Sequence, residues 1–196
     1  MGVARAIRFD VWQDAAITLD VAVNGVSVRA LLDSGATASL VDANFHATLA
    51  VRPTELGYNV ETPTGATQAR ASTTLDLSSA GQPLCSTRAA IYDLQAMSAA
   101  YGVAVQFILG RDFFESFVLE FDFLARTIQA TPHDVFDGSA LAAPLPLGRC
   151  ARHERWIDVA IAGQPQIAAL VDLEHFPVCV NRGGFPRGFG GGNLAG

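Results

Sequence analysis

Two apolar runs, each broken by a small set of special residues, constrain this chain more than any other feature. The first is Ala30-Leu31-Leu32, which ends in Asp33-Ser34-Gly35-Ala36. The second is Phe107-Ile108-Leu109, which ends in Gly110-Arg111-Asp112-Phe113-Phe114. A carboxylate at the end of an apolar strand, followed at once by a hydroxyl, a glycine and a small residue, terminates the strand in a tight turn. It also aims one acid out of an otherwise dry core. Gly110, with no side chain, offers bare backbone on which such a turn can rest.

The surrounding pattern is β. Ala16 to Val23 alternates, Asn24-Gly25 is a two-residue hairpin signal, and Val26 to Leu32 resumes the strand. Ser39 to Leu49 reads as a short strand and a helical turn. Residues 58–62 and 68–72 read as strands flanking a hairpin at Thr64-Gly65. Further strands are expected at 73–77, 89–94, 118–123 and 127–130, with a short helix over Phe113 to Phe117. Short strands at this spacing predict a mostly β protein built on a small closed barrel, not a βαβ sheet.

Composition excludes several classes. The chain has 196 residues, half of them hydrophobic, enough to bury a core. Charged residues make up 16% and the net charge is −6, with arginines scattered singly, so nucleic acid is not an expected partner. No apolar run approaches the roughly 20 residues of a membrane span. The first twelve residues carry Arg5, Arg8 and Asp10 and no apolar stretch, so a cytoplasmic protein is expected, or a periplasmic one if a signal segment has been removed. Cys85, Cys150 and Cys179 are odd in number and widely spaced, which predicts free thiols. The four histidines, 46, 133, 153 and 175, show no paired ligand spacing, so neither a metal nor another cofactor is expected. No GxSxG elbow is present. Asp112 and Asp122 are expected to be structural or solvated.

The opening pattern returns near the end. Ile157-Asp158-Val159-Ala160-Ile161-Ala162-Gly163 echoes Leu19 to Gly25, and Ala169-Leu170-Val171-Asp172 echoes Ala30 to Asp33. Asp172 is followed by Leu173-Glu174-His175, from which the tight turn after Asp33 cannot be rebuilt. The expected organisation is therefore a domain over 1–131, a Pro- and Ala-rich linker over 132–154, a truncated second repeat over 155–181, and a glycine-rich disordered tail over 182–196.

In this order of parts the chain resembles the retropepsin-like aspartyl proteases, and most of all their bacterial branch, over about residues 16–130. The resemblance implies an acid-protease β-barrel and hydrolysis of polypeptides, with Asp33 as the catalytic acid. Ser34, Gly35 and Ala36 would support the acid turn, Ile108, Leu109 and Gly110 would pack behind it, and Thr64 and Gly65 would form a flap over substrate. Because one chain supplies one such acid and the chemistry needs two, the resemblance implies a homodimer. Asp172 is rejected as the second acid for want of its turn residues. The competing reading is a catalytically inactive module of the same fold that serves dimerisation or peptide binding.

Overall fold

The computed structural model describes residues 5–12, 16–54, 58–62, 65–69, 71–139, 148–149, 155–159 and 167–170. The chain opens with β1 (Arg5–Trp12), β2 (Ala16–Val23) and β3 (Val26–Leu32). Asn24 and Gly25 join the last two at φ 48° and 83°, the positive values a two-residue hairpin needs and these residue types tolerate. Next come β4 (Leu40–Asp42) and α1 (Ala43–Thr48). The Asp42 carboxylate starts this helix by accepting the N–H groups of Asn44 and Phe45, both at 3.0 Å.

The middle of the chain holds β5 (Tyr58–Thr62), β6 (Gly65–Ala69), β7 (Ser72–Ser79) and β8 (Gln82–Tyr92). Then follow α2 (Gln95–Tyr101), β9 (Phe107–Leu109), α3 (Arg111–Ser116), β10 (Phe117–Asp122) and β11 (Thr127–Pro132). The expected mostly β closed barrel is present. Strands pair in the order β2-β3-β9-β4-β8-β7, and β7 returns to β2 through Ala22↔Ser78 and Val23↔Leu77. β1, β11 and β10 extend the sheet outward from β2.

Topology explains the unbroken apolar runs. β9 lies between β3, which it pairs in parallel, and β4, which it pairs antiparallel. Both faces of β9 and of the Ala30–Leu32 end of β3 are covered, so both sets of alternating side chains there are apolar. Ala30, Leu32, Phe107 and Leu109 join the main core with Ile7, Phe9, Leu19 and Leu75. Leu31 and Ile108 turn the other way, into a second cluster with Ala16, Leu40, Leu94 and Val105.

Several elements depart from expectation. β1 and α2 were not anticipated from the sequence. In the β5–β6 hairpin Thr62 pairs with Gly65, so Gly65 opens a strand instead of sitting in the turn, and that strand starts three residues before the expected Gln68. Thr64 lies outside the described residues. The expected linker contains a strand, β12 (Gly148–Arg149), which joins β13 (Arg155–Val159) and β14 (Ile167–Leu170) in a separate three-stranded sheet.

That small sheet has a telling register. Gly148 faces Trp156 as Asp10 faces Thr18, both positions displaced by 138 (148 − 10 and 156 − 18). Ile157 faces Ala169 as Leu19 faces Ala30, displaced by 138 and 139 (157 − 19 and 169 − 30). The pairings of β12-β13-β14 thus follow those of β1-β2-β3. The remainder of the expected second repeat, with Asp172, and the glycine-rich tail lie outside the described residues.

Candidate active site

Asp33 stands where β3 ends, and it is only 6% exposed. Its backbone N–H donates to the Leu109 carbonyl at 3.0 Å, which holds the acid level with the end of β9. Its Oδ1 accepts the N–H of Gly35 at 2.7 Å and that of Ala36 at 2.9 Å. The turn therefore folds back on its own first residue and fixes the direction of the carboxyl group, as short acidic side chains do in tight turns. Ser34 and Ala36 are half-buried and Gly35 is exposed.

The turn rests on Gly110. A methyl group there would lie 2.5 Å from both the carbonyl carbon and oxygen of Ala38, and 2.8 Å from the Ser39 nitrogen. No side chain fits in that space. The Arg111 N–H donates to the Ala36 carbonyl at 2.9 Å and stitches the middle of the turn to the start of α3. Ile108 and Leu109, both fully buried, carry the strand that brings Gly110 here. The structure therefore brings Asp33, Gly35, Ala36, Leu109 and Gly110 together in one place.

Further bonds brace the far end of the turn. The Ser39 N–H and hydroxyl both donate to Asp112 Oδ1, at 2.7 and 2.9 Å, while the hydroxyl accepts the Gly110 N–H at 3.1 Å. The Thr87 hydroxyl donates to Asp112 Oδ2. Asp112 is half-buried, so of the two roles expected for it the structure favours the structural one over a solvated one. Burial, with the Asp112 charge as a smaller cause, pushes the Cys85 thiol up to about 11. Ser39 and Thr87 were not foreseen as part of the site. A hydroxyl six residues after the acid and a carboxylate two after the glycine were the available signals for Ser39 and Asp112, and nothing local marks Thr87.

Other chemistry is sparse. Among the described residues no group of three or more His, Cys, Asp or Glu side chains is gathered in a way that suits a metal ion. His46 is buried in α1, its Nε2 has no hydrogen-bond partner, and burial lowers its pKa. Among the described residues no helix is long and apolar enough to cross a membrane.

Residues 19–113 match the family described as Aspartyl protease. The chain is also similar to two solved structures. One is EIAV protease complexed with the inhibitor HBY-793, at 23% identity over 53% of this chain and 88% of that one, with a TM-score of 0.41. The other is a retropepsin-like aspartic protease from Rickettsia conorii, at 14% identity over 65% of this chain and 88% of that one, with a TM-score of 0.40. No curated protein matches the chain.

Proposed function

Because residues 19–113 match the family described as Aspartyl protease, we propose that this chain is an aspartic endopeptidase whose acid is Asp33, acting with the Asp33 of a second copy. The observation that carries the reading is the placement of Asp33. It is a buried carboxyl at a strand end, oriented by the Gly35 and Ala36 amides, in a turn whose Ala38–Ser39 end packs on the bare backbone of Gly110.

Peptide hydrolysis without a covalent intermediate needs a nucleophilic water and an electrophilic carbonyl. Two carboxyl groups sharing one proton meet both needs. The ionised one takes a proton from water, and the protonated one donates to the carbonyl oxygen. Carboxyls about 3 Å apart cannot both ionise, so they titrate as a pair. Among the described residues a single acid turn of this kind occurs, and a two-fold axis supplies the second. The β5–β6 hairpin is the candidate flap, which in closing excludes water from the reacting groups. The substrate class is polypeptide.

The test compares wild type with Asp33→Asn on a mixed peptide library across roughly pH 4 to 7, at a concentration that populates a dimer. Cleavage lost in the variant supports the reading. Equal cleavage by both proteins would refute the assignment of Asp33. A wild type that binds peptides or dimerises without cutting them would favour the inactive module.

A further inference from the structure

Asp112 lies in the first turn of α3, two residues beyond Gly110, and its carboxylate gathers donors from two other parts of the chain. Oδ1 takes the N–H and the hydroxyl of Ser39, at the end of the acid turn. Oδ2 takes the hydroxyl of Thr87, in the middle of β8. Both partners are buried, Ser39 completely. The Ser39 hydroxyl passes the link on by accepting the Gly110 N–H. The acid turn, the barrel wall and the start of α3 therefore meet on one side chain.

We propose that Asp112 is a positioning residue for Asp33. It anchors the Ser39 end of the turn, while the Asp33 N–H bond to Leu109 and the Arg111 N–H bond to Ala36 hold the other end and the middle. With these points fixed, the Gly35 and Ala36 amides face Asp33 Oδ1 and set where the acid stands. The kinetic consequence rests on the endopeptidase reading above; the geometric one does not.

The chemistry of the donors explains the choice of a carboxylate. Three donors require acceptor capacity on both oxygens, which an ionised Asp provides. Asn keeps an oxygen for Ser39 and turns an amide N–H₂ toward Thr87, whose hydroxyl can rotate to accept it. Ala leaves the buried Ser39 and Thr87 groups with no acceptor at this point, a desolvation penalty that a shift of the turn relieves.

Asp112→Ala, Asp112→Asn and Thr87→Val in the full chain test the assignment by two measurements. One is steady-state cleavage of a peptide that the wild type cuts. The other is NMR amide hydrogen exchange at Gly35 and Ala36. In Asp112→Ala, kcat is expected to fall about 100-fold with KM within about threefold, because a displacement of the order of 1 Å misaligns the acid. Exchange at Gly35 and Ala36 should speed up about tenfold. Asp112→Asn should recover to within about fivefold of wild type on both readouts, with Thr87→Val between the two. Wild-type exchange at Gly35 and Ala36 in a folded Asp112→Ala protein would overturn the proposal. Should that variant fail to fold, wild-type exchange in Thr87→Val would overturn it equally. If the wild type cuts nothing, the endopeptidase reading falls and the exchange measurement still decides the role of Asp112.

Discussion

The backbone of Gly110 lies so close to that of Ala38 that a methyl group on Gly110 would stand 2.5 Å from the Ala38 carbonyl. These residues are 72 apart in the chain (110 − 38), and their approach seats the acid turn on the end of β9. The contact is backbone on backbone, so no rotamer change can relieve an intruding side chain.

Gly110→Ala is therefore expected to destabilise the protein by about 1–3 kcal/mol. Thermal unfolding reads this as a drop of about 2–4 °C per kcal/mol for a chain of this size. An unchanged melting temperature would mean the turn can recede from Gly110 freely.

Asn24 joins the β2–β3 hairpin to β7. Its N–H donates to the Asp76 carbonyl and its Oδ1 accepts the Asp76 N–H, both at 2.8 Å, next to the short β2–β7 pairing that closes the barrel. Asn24→Gly keeps the positive φ but loses the side-chain bond, at an expected cost of about 1 kcal/mol. Asn24→Ala loses both and should cost about 1 kcal/mol more. Urea unfolding midpoints in the opposite order would contradict this account.

The buried His46 gives stability a pH dependence. Its folded pKa lies below the ordinary 6.5 because burial disfavours the charged ring. The unfolded chain then binds more protons within that window. The contribution is complete above pH 6.5 and is lost as pH falls through the folded value. Unfolding free energies measured from pH 7.5 down to about 4.5 should drop more steeply in wild type than in His46→Leu. Parallel curves would show that His46 charges as easily in the folded state.

Cys85 has the opposite sign. Its folded pKa is raised from 9.0 to about 11, by burial first and by the Asp112 charge second. The folded state holds the proton more tightly, so this contribution is complete below pH 9 and is lost as pH rises through about 11. At pH 8 the folded protein carries about a hundredfold less Cys85 thiolate than the unfolded chain. Peptide-resolved iodoacetamide labelling should therefore be slow in the native state and climb steeply above pH 9. Asp112→Asn, which removes the charge, should shift that climb to lower pH, and an unshifted profile would argue against the pairing.

Much of the barrel and half of the site could be read from residues close together in the chain. Asn24-Gly25 marks its turn because positive φ is a property of single residues. Asp33 marks the acid turn because its acceptors, the amides of Gly35 and Ala36, lie two and three positions away. Gly110 announced a close approach without naming its partner. Long-range pairing was hidden: the unbroken apolar runs Ala30–Leu32 and Phe107–Leu109 mark buried strands, yet not that β9 lies between β3 and β4. β1 escaped notice because its first half pairs with β11 and its second half with β2, which no single alternation reveals. The bracing of Ser39 and Thr87 by Asp112 spans 73 and 25 residues, and a hydroxyl looks the same in sequence whether it meets water or a carboxylate. Local conformation is set by each residue's own dihedral and hydrogen-bonding preferences, whereas the partner of a buried polar group is set by which strands the closed barrel makes neighbours.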